Sequence, residues 1–361
     1  MVKIERLPSG SYRARVHLGG GKYKSITGKD KKAVQLEAAQ YEADIEAAQA
    51  KENDPHRGMT VGEAMDRYID TKRNVLSPTT LREYTQTARN NFADIRDILL
   101  YALTPAQVQA EVNKLAAANA PKTVRNKYGV LSSSLAMFRP DFVCRVTLPQ
   151  KTKSSIIIPT EDDMMALFRE TYDTSMEIPV LLGSISGMRA SEIIGLRWSA
   201  VDLNKGTARI KEAKVLDQNR EYVVKGTKTR AGTRTIRLLP HVCDALRRHY
   251  NPTQEYVVPL TYAQVYDRYQ KALERCCPGK QYTFHELRHY ACSVMIWMGM
   301  PVKYIADYLG HETENMVNQV YGHIMADKKD AMFDKLAQYY DGVFKSAGFG
   351  ISDTKSDTNS D

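Results

Sequence analysis

Between Thr60 and Phe138 the chain carries four helix-start signals in close succession, and no other feature narrows its possible folds so far. Thr60-x-x-Glu63 is a capping box: each side chain satisfies a backbone N–H that the first helical turn would leave unpaired. Ser77-Pro78 and Thr104-Pro105 each set an N-cap before a proline, whose fixed φ and missing N–H suit the first helical position. Pro121 opens a fourth helix to about Phe138, with Val124, Tyr128, Leu131 and Leu135 inward and Lys122, Arg125 and Lys127 outside. Val61, Ala64, Met65 and Tyr68 line the inward side of the first. The pattern predicts an all-α bundle over 58–150, a little under the usual size of one domain.

The chain ahead of this stretch follows another period. Tyr12, Ala14, Val16 and Leu18 alternate with Arg13, Arg15 and His17, which puts three basic or ionisable side chains on one face of a strand. Gly19-Gly20-Gly21 turns the chain and Tyr23–Thr27 can return beside it. Asp30 then caps a helix with Val34, Ala38, Tyr41, Ile45 and Ala48 on one side. Residues 1–32 hold nine Lys/Arg against two acids, whereas 33–55 hold six acids against one lysine. The first segment, 1–55, therefore reads as a small β-sheet plus helix whose basic face suits a DNA groove. The break at Asn53-Asp54-Pro55-His56-Arg57-Gly58 separates it from the bundle.

Downstream, 155–345 reads as a mixed α/β, mainly α, domain. Thr160 with Glu161, Asp162 and Asp163 marks a capped helix start. Thr207–Ile210, Tyr222–Val224 and Thr233–Leu238 suggest a β-meander, and helices dominate from Thr261 to about Phe344. Asp327–Val343 is expected to be a helix with Ala331, Leu336, Tyr340 and Val343 roughly on one side. The Ser/Thr/Asp-rich 346–361 should stay disordered. Composition adds two bounds. No apolar run reaches the length of a membrane span, the first residues do not open a signal peptide, and the five cysteines suggest no redox or zinc pair, so a soluble, intracellular chain is expected. The net charge of +9 favours a polyanionic partner.

His285-Glu286-Leu287-Arg288-His289 matches H-E-x-x-H, in which two histidines share a helix face around a zinc ion with the glutamate as base. The extended form of that signature needs glycine and histidine where this chain has Cys292 and Met295. Glu312 and Glu314, next to Leu309-Gly310-His311, lack the context of a third ligand, and no metal or other cofactor is expected.

Other motifs surround this one. Gly187-Met188-Arg189-x-Ser191-Glu192-Ile193-x-x-Leu196 comes first, with Ser191 a credible helix cap. Thr227-Lys228-Thr229 follows on a hairpin before Arg234-Thr235-Ile236, then His285-x-Leu287-Arg288-His289, Leu309-Gly310-His311, and Tyr321-Gly322-His323 ten residues after His311. In this order and spacing the chain resembles the tyrosine recombinase (phage integrase) family over about Thr160–Phe344. A helical bundle ahead of a catalytic domain is also that family's layout, and the basic N-terminal sheet resembles the arm-site-binding domain of integrases from phages and conjugative elements.

The resemblance implies a site-specific recombinase that integrates and excises a mobile element through a 3′-phosphotyrosyl intermediate. Tyr321 would be the nucleophile, Arg189 and Arg288 the clamp on the phosphate, and Lys228 the general acid, with Lys225 nearby as the competing lysine. His285 would accept the phenol proton and His311 would hydrogen-bond the phosphate. Glu192 would orient neighbours, and His289 would support rather than react. Chemically these types belong together, because a phosphodiester repels nucleophiles and gains charge on its oxygens during attack, which two guanidiniums can meet without a metal. The implied partners are double-stranded DNA at core and arm-type sites, a homotetramer on DNA coupled by the C-terminal helix, a host DNA-bending protein and an excisionase, in the nucleoid of a bacterial cytoplasm. A type IB topoisomerase, or a DNA-binding regulator whose catalytic domain has fallen silent, are the competing readings.

Overall fold

In the computed structural model the described residues are 3–19, 21–52, 55–151, 156–226, 232–315, 317–318, 338–340 and 343. The chain divides into two compact units, Met1–Thr152 and Lys153–Asp361.

The first unit begins with strands β1 (Ile4–Arg6), β2 (Tyr12–Gly19) and β3 (Lys22–Gly28), an antiparallel sheet in that order. Helix α1 (Lys31–Glu52) follows. Ala14, Val16 and Ile26 are buried under Val34 and Ala38 of α1, with Tyr41 and Ile45 at the margin. Arg15 and His17 face solvent, as the period of two requires. Arg13 donates to Glu5 across β1 and β2 at 2.8 Å. Leu18, expected inward, is exposed, because the register shifts between His17 and Gly19 and breaks the alternation there.

A second core in this unit belongs to α2 (Val61–Thr71), α3 (Pro78–Asn90), the short α4 (Ala93–Arg96), α5 (Pro105–Ala118) and α6 (Pro121–Phe138). Three of the four expected starts carry a side-chain cap, and α6 opens on Pro121 behind Ala120, which offers none. Thr60 Oγ1 accepts from the Glu63 N–H at 3.2 Å while Glu63 accepts from the Thr60 N–H at 3.1 Å, and Thr104 and Gln107 repeat the exchange. Ser77 accepts from the Thr80 N–H. Met65, Phe92, Leu100, Val108, Val124 and Leu131 fill the middle. Of the three expected outer basic residues, Arg125 donates to the Pro149 carbonyl at 2.9 Å and Lys127 to Asn119 at 3.1 Å, whereas Lys122 is exposed.

The second unit contains, in order, α7 (Glu161–Thr171), α8 (Glu177–Ser184), α9 (Ala190–Ile193), β4 (Val201–Asp202), β5 (Thr207–Ile210), β6 (Glu212–Leu216), β7 (Tyr222–Gly226), β8 (Arg234–Arg237), α10 (Pro240–Arg248), α11 (Tyr262–Cys276), α12 (Phe284–Trp297) and α13 (Val302–Leu309). Thr160 and Asp163 form the capping box that opens α7. The apolar α8 runs through the core beside α12, where a side chain on Gly183 would touch Leu287 and Phe284.

The strands do not form the single meander that their spacing suggests. β5 lies between β4 and β8, and β6 pairs with β7 alone. Ala208 and Ile210 of β5 share the core face with Ile236 of β8, in the register Ala208↔Ile236 and Ile210↔Arg234. Burying that common face draws β8 beside β5 and leaves β6–β7 as a separate hairpin. All five cysteines are free thiols, and Cys243, Cys277 and Cys292 are buried filler.

Candidate active site

The site begins at a turn that only glycine can make. Gly187 takes φ +62, and a Cβ there would fall 2.2 Å from the buried Leu309 side chain. The turn delivers Arg189 to the N-cap of α9, the place expected for Ser191. The cap shifts because Glu192 reaches back, its Oε2 accepting the Arg189 N–H at 3.0 Å.

Glu192 is only 3% exposed. Its carboxylate also accepts from Arg189 Nη1 at 2.8 Å, and from Arg234 Nη1 and Nη2 at 3.3 and 3.0 Å. Burial alone would raise its pKa. The hydrogen bonds and charge of Arg234, then the Arg189 N–H and charge, outweigh that and hold the carboxyl below its ordinary value. Both arginines also reach the end of α13, Arg189 Nη2 donating to the Gly310 carbonyl at 3.1 Å and Arg234 Nε to the Tyr308 carbonyl at 2.8 Å, while Arg234 Nη1 also donates to the Gly232 carbonyl at 3.4 Å.

Arg288 sits one turn into α12 and is 3% exposed. Its Nη1 donates to the Gly187 carbonyl at 2.5 Å, while its buried Nη2 has no partner among the described residues. Burial, and then the charge of Arg189, push its pKa down. The ordinary value of a guanidinium is so high that the group stays charged at neutral pH. It is therefore a desolvated cation with a donor to spare.

His285 opens the same helix, and its ring meets that of His289 edge-on with centroids 4.9 Å apart. Desolvation by its packed side, then His289, Arg288 and Arg189, lower its pKa, although Glu192 opposes the fall. The shift favours the neutral imidazole. Glu286, the acid of H-E-x-x-H, does not sit as a base between the two histidines. It is the third residue of the capping box, accepting the Thr283 N–H. Among the described residues, the group of three donors close enough to share a metal ion is Asp173, Glu177 and His249. There Glu177 already accepts from Arg248 and is 2.7 Å from His249 Nε2.

His311 follows Gly310, whose φ of +69 closes α13, and its N–H returns to the Ala306 carbonyl at 2.8 Å. Burial and the charges of Arg288, Arg189 and Arg234 push its ring down to about 3, and its Nδ1 is buried with no described partner. The fold thus brings Arg189, His285, Arg288 and His311 together. Lys228 and Tyr321 lie outside the described residues, as do most of Asp327–Val343 and all of 346–361.

Two cations beside two neutral imidazoles, with Arg288 buried and the others partly open to solvent, can hold an oxyanion and exchange hydrogen bonds with it. Sequence reasoning missed Arg234, which joins this set through Glu192. The signal was there: Arg234 and Ile236 occupy the inward register of β8 while Thr235 and Arg237 face out. An arginine at an inward position requires a buried acid to pair with.

Residues 160–328 match the phage integrase family. A tyrosine recombinase XerC-like protein of Caldanaerobacter subterraneus is 23% identical across 88% of this chain and 93% of its own length. The prophage integrase IntR of Escherichia coli is 28% identical over 40% of this chain and 42% of its own length. Among solved structures, the Tn1549 transposon integrase in complex with transposon right end DNA aligns with 77% of this chain and all of that one, with a TM-score of 0.63 at 18% identity. A lambda integrase tetramer bound to a Holliday junction aligns with 88% of this chain and 94% of that one, with a TM-score of 0.57 at 18% identity. At these identities the structures speak for the fold.

Proposed function

Because the chain belongs to the phage integrase family of tyrosine recombinases, and so is a site-specific recombinase, we propose that its second unit cleaves and rejoins DNA through Tyr321. The observation that most supports this reading is Arg288, buried and charged, with one donor fixed on the Gly187 carbonyl and the other unpaired. Such a group suits a phosphate oxygen that becomes more negative during attack, because it needs no rearrangement when the charge arrives.

The Tyr321 oxygen attacks the phosphorus and the bond to the 5′ oxygen breaks, leaving a 3′-phosphotyrosyl linkage. Arg189 and Arg288 hold the non-bridging oxygens. His285, neutral in the free site, accepts the phenol proton, and the arriving phosphate raises its basicity by offsetting the surrounding positive charge. His311 hydrogen-bonds the phosphate. Lys228 gives its proton to the departing 5′ oxygen. A 5′-hydroxyl from a second duplex then attacks the linkage, releases Tyr321 and returns the protons, so no metal or nucleotide is required.

The division of labour among domains belongs to the same proposal. The helical bundle over 58–150 grips the core site, and the catalytic domain over 155–345 closes on the same duplex. The outer face of the β1–β3 sheet, with Arg15, His17 and Tyr23 exposed, binds a second, arm-type site. Four copies act together on DNA, as the lambda integrase structure does on its junction. A host DNA-bending protein and an excisionase complete the reaction that inserts or removes a phage or conjugative element. No described helix is long and apolar enough to cross a membrane, and we place the protein with DNA in a bacterial cytoplasm and nucleoid.

The test is a nicked suicide duplex, which traps the covalent product because the cleaved fragment diffuses away. Wild-type protein should give a labelled protein–DNA adduct that survives chelator, and Tyr321→Phe should give none. An adduct retained in Tyr321→Phe, or cleavage abolished by chelator, would overturn the assignment.

A further inference from the structure

Arg189 and Arg288 can act on a phosphate only if they are held still, and the two are held differently. Arg288 is pinned by a carbonyl of the Gly187 turn. Arg189 is pinned by Glu192, and a carboxylate buried to 3% exposure is a stable support only if its own charge is met. Arg189 does not meet it alone, because its Nη2 is committed to the Gly310 carbonyl and about a third of its side chain remains open to solvent.

We propose that Arg234 is the positioning residue for both Arg189 and His311. Arg234 is 9% exposed as a residue, and its guanidinium bridges both oxygens of Glu192, so the carboxylate stays ionised and fixed in the orientation that grips Arg189. Its Nε–H, pointing away from Glu192, holds the Tyr308 carbonyl, two residues before the Gly310 carbonyl that Arg189 holds. The last turn of α13 is therefore clamped by two cations at the negative end of its dipole. His311 leaves from that clamp directly. Three guanidiniums against one carboxylate also leave the recess with a net positive charge, which the phosphate meets.

Lysine cannot substitute for Arg234, since one ammonium cannot span both Glu192 oxygens and the Tyr308 carbonyl in a plane. Removing Arg234 leaves Glu192 with Arg189 as its remaining described cation, and the pair can then relax away from the phosphate.

This proposal rests on Arg189 being a phosphate ligand, so Arg189→Lys is assayed alongside. The full chain is measured in single-turnover cleavage of the nicked duplex, at a temperature where every variant remains folded by melting. Arg234→Gln should cleave about 100-fold more slowly, the scale expected when catalytic groups shift by an ångström. Arg234→Lys should not recover the rate, and DNA affinity should stay near that of wild type. The double variant Glu192→Gln/Arg234→Gln should be no slower than the slower single variant, because both losses pass through one contact. The NMR signal of the His311 ring should titrate at higher pH in Arg234→Gln, with one neighbouring charge gone and its turn released. Wild-type cleavage by Arg234→Gln beside a defective Arg189→Lys overturns the proposal. So do losses in Glu192→Gln and Arg234→Gln that multiply, or a rate fully restored by lysine. Normal cleavage by Arg189→Lys overturns the reading beneath it as well.

Discussion

Two basic surfaces of this molecule make opposite use of arginine. On the outer face of the N-terminal sheet Arg15 and His17 stand in solvent, and Arg13 is paired with an exposed Glu5. In the candidate active site Arg288 and Arg234 are almost fully buried, and every described contact they make is to a main-chain carbonyl or to Glu192. Exposed charge is screened by salt and free to reorganise, so it contributes affinity and little rate. Buried charge acts through a weaker dielectric and is already oriented, so it contributes rate. Substitutions in the two places should therefore separate binding from cleavage.

The largest separation is expected at Arg288. Arg288→Lys keeps the charge but cannot hold the Gly187 carbonyl and a phosphate oxygen together. Single-turnover cleavage should fall by about 10²–10³-fold, the usual cost of one lost oxyanion donor, while DNA binding by fluorescence anisotropy changes little. A cleavage rate near wild type would erase the contrast between the two surfaces.

Gly187→Ala tests whether orientation rather than charge is at stake. The new methyl group meets Leu309 and strains a left-handed backbone, so the carbonyl under Arg288 must move. All the charges remain, yet cleavage should drop by about 10- to 100-fold as the ligands shift. Thermal stability should fall by about 1–3 kcal/mol, as for other overpacked sites. Normal cleavage in a destabilised variant would show that the turn serves folding alone.

A smaller effect should appear with pH. The folded-state pKa of His311 is depressed to about 3, well below its ordinary value, so the unfolded chain takes up the proton first as pH falls. The second unit should keep this stability above about pH 6.5 and lose it progressively toward about pH 3. Both tryptophans, Trp198 and Trp297, lie in that unit, so their fluorescence reports its unfolding without interference from the first. His311→Asn should flatten the acid side of the curve. An unchanged slope in that variant would mean that the ring is not held neutral by its surroundings.

What was legible in the sequence follows the range of the forces involved. Capping is settled within four residues, so Thr60 with Glu63, Ser77, Thr104 and Thr160 could be read directly. The buried stripe of the N-terminal sheet was legible for the same reason, up to the register shift that turns Leu18 outward. The identity of Arg189, His285, Arg288 and His311 as one cluster came from motif order. What fixes them did not, because the Gly187 and Gly310 carbonyls meet their arginines across 101 and 121 residues of chain. The pairing of β5 with β8 was hidden in the same way, since it depends on a shared core face rather than on adjacent turns. Glu286 shows how short-range chemistry can sit unread inside a motif: H-E-x-x-H drew attention to a metal-site base that the sequence reading set aside, and the residue's part in the Thr283 capping box emerges only from the structure.

The smallest expected effect sharpens the other half of the comparison. Arg15 lies on the exposed face of β2, beside Ser25 in register and flanked by Arg13 and His17. If that face lies against DNA, Arg15→Gln removes one phosphate contact and leaves the buried site untouched. The slope of log affinity for arm-site DNA against log salt should become shallower by about 0.9, with affinity at low salt reduced several-fold. Cleavage of a core-only duplex should not change, because Arg15 is not one of the residues that form the candidate active site. An unchanged slope would take the sheet off the DNA. A slower core cleavage would mean that the two basic surfaces do not divide binding from catalysis.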